Sequence, residues 1–161
     1  MDTISCYNSP IGDILLSADA IGLTELRFAD GMNISPSEHR EAPALLSAKR
    51  WLDVYFSGNV PDFTPPLHLT GTPFRMEVWR ILCTIPYGQS ATYGEIAKQI
   101  AAQQGIPKMS AQAVGGAVGR NPIGIIIPCH RVIGSNGSLT GYAGGLDKKI
   151  KLLEIEHSLV K

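Results

Sequence analysis

Three short runs of alternating apolar and polar residues open the chain, over residues 3–8, 11–18 and 21–28. Ile11, Ile14, Leu16, Ile21, Leu23, Leu26 and Phe28 supply the apolar positions, and such short alternating runs describe strands with one buried face. Asn8-Ser9-Pro10 and Asp19-Ala20-Ile21-Gly22 lie between the runs and carry turn-forming residues, so the pattern predicts an antiparallel meander. The period then lengthens. Leu45, Leu46, Trp51, Leu52, Tyr55 and Phe56 recur near helical spacing and predict a helix over 42–57, with Gly58 placed to end it. Pro61, Pro65, Pro66 and Gly71 make residues 59–71 an extended linker, and the domain boundary is placed there.

Beyond the linker the pattern is helical. Thr72 is a cap, Pro73 suits the first helical position, and Phe74, Val78, Trp79, Ile81 and Leu82 form the buried face of a helix ending near Thr84. Ile85-Pro86-Tyr87-Gly88 is a turn. Thr92 with Glu95 three residues on is a capping-box pattern for a helix running to about residue 102. Gly105-Ile106-Pro107 breaks the chain, and Ser110 caps a short helix from Ala111 to about Val118. Two short helices across a tight break have the form of a helix-turn-helix, and on spacing alone also of a plain αα-hairpin. The second is short of bulk at Ala113, Gly115, Gly116, Ala117 and Gly119, although each helical Gly costs roughly 1 kcal/mol against Ala. A surface that smooth admits a neighbouring element or a nucleic-acid groove. Gly134-Ser135-Asn136-Gly137 is a hairpin turn. A last helix, Leu146 to about His157, is expected to turn Leu152, Leu153 and Ile155 inward and Lys148, Lys149 and Lys151 outward.

Between these helices lies Ile125-Ile126-Ile127-Pro128-Cys129-His130-Arg131-Val132-Ile133. Its β-branched runs predict buried strand, and Pro128, which has no N–H to donate, interrupts the pairing. A thiol, an imidazole and a guanidinium then sit where the strand is broken. A cysteine attacks as its thiolate, and neighbouring cations favour that form. The alternative reading is an inert buried cysteine, a common fate of free Cys.

Composition narrows the picture. With 161 residues, 44% hydrophobic and 17% charged, the chain is that of a soluble globular protein of one domain or two small ones. No apolar run reaches membrane-spanning length, and Met1-Asp2-Thr3 does not begin a secretory leader. Cys6, Cys83 and Cys129 are odd in number and far apart, which argues against a disulfide framework and for a reducing cytoplasm. Metal-ligand spacings are missing, so neither a metal nor another cofactor is expected. The net charge of zero hides an asymmetry. Residues 1–70 hold 4 Lys and Arg against 9 Asp and Glu, whereas residues 71–161 hold 10 against 5. The basic half suits an anionic partner.

With Pro128-Cys129-His130-Arg131-Val132 set between Asn121-Pro122 and Tyr142-Ala143-Gly144-Gly145, the sequence resembles the O6-alkylguanine-DNA alkyltransferases, the methylated-DNA–protein-cysteine methyltransferases of direct repair. The resemblance covers nearly the whole chain and is strongest over 71–156. It implies an N-terminal ribonuclease H-like α/β domain, residues 1–65. A mainly α-helical C-terminal domain, residues 71–161, would carry a helix-turn-helix and the active site. It implies a monomer that binds double-stranded DNA through the minor groove. Cys129 would take an alkyl group, irreversibly, from O6 of a flipped-out guanine, with O4 of thymine a further candidate. Minor-groove binding of this kind is largely independent of sequence and sensitive to salt.

The resemblance also assigns residues. His130 accepts the thiol proton through a water, since neighbours on a strand face opposite ways. Glu156 orients the imidazole, as a third group does in other nucleophile–base sets. Asn121 braces the turn into the active-site strand. Tyr93 donates to the guanine N3, and Tyr142 walls the base pocket. The Val132 backbone and the Ala143 amide hold the guanine edge. Ala113 and Gly115 suit insertion into the groove, and Arg120 contacts phosphate. One position departs from the family: Gln112 stands where an Arg fills the gap left by the flipped base. Gln can bond the orphaned cytosine but brings no charge. Two other readings remain at this stage, a lesion-binding protein of the non-repairing alkyltransferase-like type and a Cys–His hydrolase. The first type lacks the cysteine that this chain has.

Overall fold

A computed structural model describes residues 3–29, 42–137, 139, 142 and 144–157. The chain divides into two compact units, Met1–Leu69 with Pro122–Gly124, and Thr70–Asn121 with Ile125–Lys161. The units are therefore not two contiguous stretches.

The first unit is built on strands β1 (Thr3–Ser9), β2 (Gly12–Ala18) and β3 (Leu23–Phe28), an antiparallel sheet in the order β1-β2-β3. Its central strand is the most buried, with Ile14, Leu16 and Ala18 fully enclosed. Helix α1 (Pro43–Phe56) covers the sheet with Leu45, Ala48, Leu52 and Tyr55. Ile21 was expected in a strand and instead lies exposed in the turn before β3. Asp19 organises that turn: its Oδ1 accepts from the N–H groups of Ile21 and Gly22 at 2.9 and 3.1 Å. Gly22 is required there, since a Cβ would lie 2.7 Å from the Pro66 carbonyl. Pro122–Gly124 adds to the far end of β3: Leu26 N–H donates to Pro122 O at 2.9 Å and Gly124 N–H to Leu26 O at 3.0 Å.

The second unit holds helices α2 (Pro73–Leu82), α3 (Tyr93–Gln104), α4 (Ala111–Gly119) and α5 (Leu146–Ile155). Its helix starts follow local chemistry. Thr72 Oγ1 caps α2, Ser110 Oγ caps α4, and Thr92 with Glu95 closes the capping box on α3. Gly105 ends α3 in the left-handed conformation at φ +67°. Trp79 is buried, and its indole N–H donates to Ala117 O at 2.9 Å, tying α2 to α4. Strands β4 (Ala91–Thr92) and β5 (Val132–Ile133) pair in parallel.

The stretch before Cys129 corrects the expectation of a strand. Residues 125–127 lie in turns, and Cys129–Arg131 forms a 3₁₀ turn leading into β5. Hydrogen bonds within the stretch explain this. The Asn121 side chain donates to Ile127 O at 2.8 Å, Cys129 N–H to the same oxygen at 2.8 Å, and Arg131 N–H to Pro128 O at 3.0 Å. Ile125 and Ile127 are fully buried, so the apolar run reflects burial rather than strand pairing. Ile125 even has φ +66°, a left-handed conformation costly for a β-branched residue.

Candidate active site

The 3₁₀ turn delivers three consecutive side chains into the interior of the second unit. Cys129 and Arg131 are almost completely buried, and His130 is fully so. Successive residues of such a turn point about 120° apart, so a turn rather than a pleat sets the imidazole apart from the thiol.

Helix α5 supplies the answering charges. Glu156 caps its C-terminus and is 2% exposed. His130 Nε2–H donates to Glu156 Oε2 at 2.6 Å. Arg131 grips the same carboxylate through Nε to Oε1 at 2.8 Å and Nη2 to Oε2 at 3.1 Å, and anchors through Nη1 on Ile85 O at 2.7 Å. The Gly88 N–H donates to Oε1 at 3.3 Å. Burial alone would raise the Glu156 pKa, but the hydrogen bonds and charges of His130 and Arg131 outweigh it and hold the carboxyl near about 2. The carboxylate is thus ionised and only accepts, which fixes the imidazole tautomer. Nε2 carries the hydrogen, and Nδ1 presents its lone pair. Nδ1 is buried and has no bonding partner among the described residues. Burial pulls the His130 pKa down, against the upward pull of Glu156, so the ring is a neutral base at neutral pH.

Burial pushes the Cys129 thiol up, while a hydrogen bond from Asn121 and the charge of Lys149 pull the other way. Deprotonation therefore needs help. Tyr142 stands edge-on to His130, with ring centroids 6.5 Å apart. Val132 is fully buried, and its carbonyl accepts from Lys149 Nζ at 2.6 Å.

Cys129, His130, Glu156, Asn121, Val132 and Tyr142 thus gather around one turn. A second group lies along α3 and α4. Tyr93, Gln112 and Gly115 line a groove of about 440 Å³ with Gly94, Ala111 and Ser135. Gly115 faces the Tyr93 ring, and a Cβ there would lie 3.7 Å from it. Ala113 is exposed in the first turn of α4, its N–H held by Ser110, and Arg120 is exposed at the C-cap. Ala143 lies outside the described residues.

Two residues were misjudged or left without a role. Arg131, unassigned from the sequence, is the clamp on Glu156. Lys149 was expected outside and is fully buried. Its spacing held the signal: Lys149, Leu152, Leu153 and Glu156 fall at i, i+3, i+4 and i+7, one face of a helix. Among the described residues, no group of three or more His, Cys, Asp or Glu is arranged to hold a metal, and no helix is long and apolar enough to cross a membrane.

Comparison with known proteins places this geometry. Residues 4–69 match the family model for the 6-O-methylguanine DNA methyltransferase ribonuclease-like domain, and residues 73–158 match that for the DNA binding domain of the same proteins. A small ribonuclease-like sheet unit ahead of a helical DNA-binding unit is the class that the fold defines. Within that class, the chain belongs to the 6-O-methylguanine DNA methyltransferase family. It is 48% identical over 155 residues to the methylated-DNA–protein-cysteine methyltransferase of Methanosarcina acetivorans, covering 94% of this chain and 96% of that one. It is 46% identical over 152 residues to the enzyme of the same name from Mycobacterium leprae, covering 92% and 88%. The crystal structure of Mycobacterium tuberculosis O6-methylguanine methyltransferase superposes with a TM-score of 0.83 at 44% identity, covering 100% of this chain and 96% of that one. That of M. tuberculosis OGT in complex with DNA superposes at 0.82 and 44%, covering 97% and 93%.

Proposed function

We propose that this protein repairs DNA directly, moving the methyl group of O6-methylguanine irreversibly onto its own Cys129. The observation that carries the reading is the buried 2.6 Å bond from His130 Nε2–H to Glu156, one residue beyond the cysteine. It leaves a neutral imidazole with a basic Nδ1, the state a general base needs.

The thiol proton passes to Nδ1 through a water. The Cys129 sulfur then forms a bond to the methyl carbon, the bond from that carbon to O6 breaks, and its electron pair stays on the guanine. A proton returned to the base leaves ordinary guanine. A soft thiolate suits attack on an alkyl carbon. Nothing in the scheme removes the methyl from sulfur, so each protein acts once and needs no cofactor. Glu156 balances the charge gained by His130, and Arg131 keeps Glu156 in place.

The base must leave the duplex to reach a buried thiol, at a cost of a few kcal/mol. In this reading α3 and α4 act as a helix-turn-helix on the minor groove. The smooth face at Ala113 and Gly115 enters the groove, with Gln112 in the vacated space. Tyr93 donates to the guanine N3, Tyr142 walls the pocket, the Val132 backbone and the Ala143 amide hold the guanine edge, and Arg120 meets phosphate. The protein works as a monomer in the cytoplasm. The test is an intact mass after incubation with a duplex containing O6-methylguanine. One methyl on Cys129, one event per protein and none in Cys129→Ala are expected. An unmodified wild type, or repeated turnover, would overturn the proposal.

A further inference from the structure

Glu156 stands at the weak point of its helix. It is the C-cap of α5, where the final carbonyls of a helix lack partners within it and the chain frays. A carboxylate carried on such an end moves with it, yet this one holds an imidazole nitrogen at 2.6 Å. Arg131 grips the carboxylate itself. The backbone of the helix end is held from elsewhere.

The turn between α2 and β4, residues 85–88, closes on that end. Ile85 O accepts from Arg131 Nη1 at 2.7 Å, and Gly88 N–H donates to Glu156 Oε1 at 3.3 Å. Tyr87 lies between these two contacts in the chain. Its hydroxyl donates to Ile155 O at 3.2 Å, taking up one of the last carbonyls of α5. Its ring lies over the Arg131 guanidinium, 5.7 Å from the central carbon to the ring centroid, a cation–π contact. Gly88 lets the turn come this close, having φ +80° and space for a Cβ only 3.3 Å from Glu156 O. Burial and the charge of Glu156 raise the Tyr87 phenol above its ordinary 10, so it stays a donor.

We infer that Tyr87 is a positioning residue for the His130–Glu156 pair: its hydroxyl pins the end of α5, its ring holds the Arg131 guanidinium, and together they keep Glu156 aimed at His130 Nε2. This rests on His130 being the base of the methyl-transfer scheme. The action of Tyr87 is indirect, through Arg131 and through the backbone of α5. With that hold loosened, Glu156 no longer keeps the hydrogen on Nε2. Part of the imidazole then carries it on Nδ1, the nitrogen that has to accept the thiol proton.

Two variants separate the two contacts. Tyr87→Phe keeps the ring and loses the hydroxyl, and Tyr87→Leu loses both. Single-turnover methyl transfer from an O6-methylguanine duplex, followed by intact mass, should slow about threefold in Tyr87→Phe and about tenfold in Tyr87→Leu. Duplex affinity should stay within about twofold of wild type. The nitrogen NMR signals of the His130 ring supply a signature that lost packing alone would not move. They should show hydrogen on Nε2 only in wild type, and a mixture of tautomers in Tyr87→Leu. Transfer at the wild-type rate in either variant, a loss of affinity as large as the loss of rate, or slow transfer in Tyr87→Leu with the hydrogen still wholly on Nε2 overturns the inference. Should Tyr87→Leu fail to fold, Tyr87→Phe decides through its rate and through faster amide hydrogen exchange at Glu156; a wild-type value of either overturns the inference. A wild type that never gains a methyl sinks the repair reading itself, whereas the His130 tautomer is read without DNA.

Discussion

Around Cys129 the turn and α5 bring together five ionisable side chains, Cys129, His130, Arg131, Lys149 and Glu156, all buried. Along the outer face of α4, Ala111, Gln112, Ala113 and Gly116 are exposed, and only Gln112 carries a polar side chain. Both regions belong to the same unit. In the first, charge is kept out of water only because each group is held by another, so a change at one place should propagate. In the second, the backbone is left bare, and a Cβ on Gly116 would meet nothing within 4 Å. There a change should stay local, and for the fold it can even be favourable.

The largest effect expected comes from breaking the first region. Glu156→Gln leaves Arg131 buried without its carboxylate, and urea unfolding should show a loss of about 3 kcal/mol. Single-turnover transfer should slow by about a hundredfold, the low end of what a general base contributes. Duplex binding by the folded variant should change far less; equal loss of both would remove Glu156 from proton handling. Gly116→Leu sharpens the contrast from the other side. It should stabilise α4 by roughly 0.8 kcal/mol, since Leu is a far better helix former than Gly. It should also weaken duplex binding about tenfold by standing in the way of the groove. Binding that is unchanged would mean this face does not meet DNA. A smaller gain is expected from Gln112→Arg, which adds one cation on the exposed face of α4 at the position proposed to fill the vacated space. Affinity should rise, with the salt dependence steeper by about one unit of slope. Unaltered affinity would place Gln112 outside the inserted position.

Near neutrality the smallest signal is in pH. Below its ordinary 6.5, His130 takes up a proton in the unfolded chain that the buried, folded ring refuses, so stability present above 6.5 is lost as pH falls. Glu156 adds a second limb. Its stabilisation is present above its ordinary 4.5 and is lost as pH falls toward about 2. In Glu156→Gln the lower limb should vanish from a series of urea midpoints, while α4 variants keep both.

The same contrast marks what could be read from the chain. Thr72, Thr92 with Glu95, and Ser110 announce their helices because a cap is a contact between residues three apart, and the structure has each one. The smoothness of α4 is equally visible, being a property of composition. The neighbourhood of Cys129 was harder. Isoleucines at 125–127 signal burial, and burial alone does not distinguish a strand from a tight turn; the Asn121 bond to Ile127 O makes the difference. Glu156 was placed by resemblance, because 26 residues separate it from His130. Lys149 was missed because a lysine is almost never fully buried, although its helical spacing put it on the face of Glu156.

Residues 122–124 bear on how such a chain is made. Leu26 is nearly fully buried, and its N–H and C=O are satisfied by Pro122 and Gly124, almost a hundred positions downstream. Buried backbone groups without partners are costly. During synthesis the N-terminal sheet must therefore wait, with one edge incomplete, until residue 124 has left the ribosome. A ribonuclease-like fragment cut at the linker carries the same open edge permanently. The unit that looks independent along the sequence is finished by the chain that leads to Cys129, so truncated messages should yield material prone to aggregation through that edge.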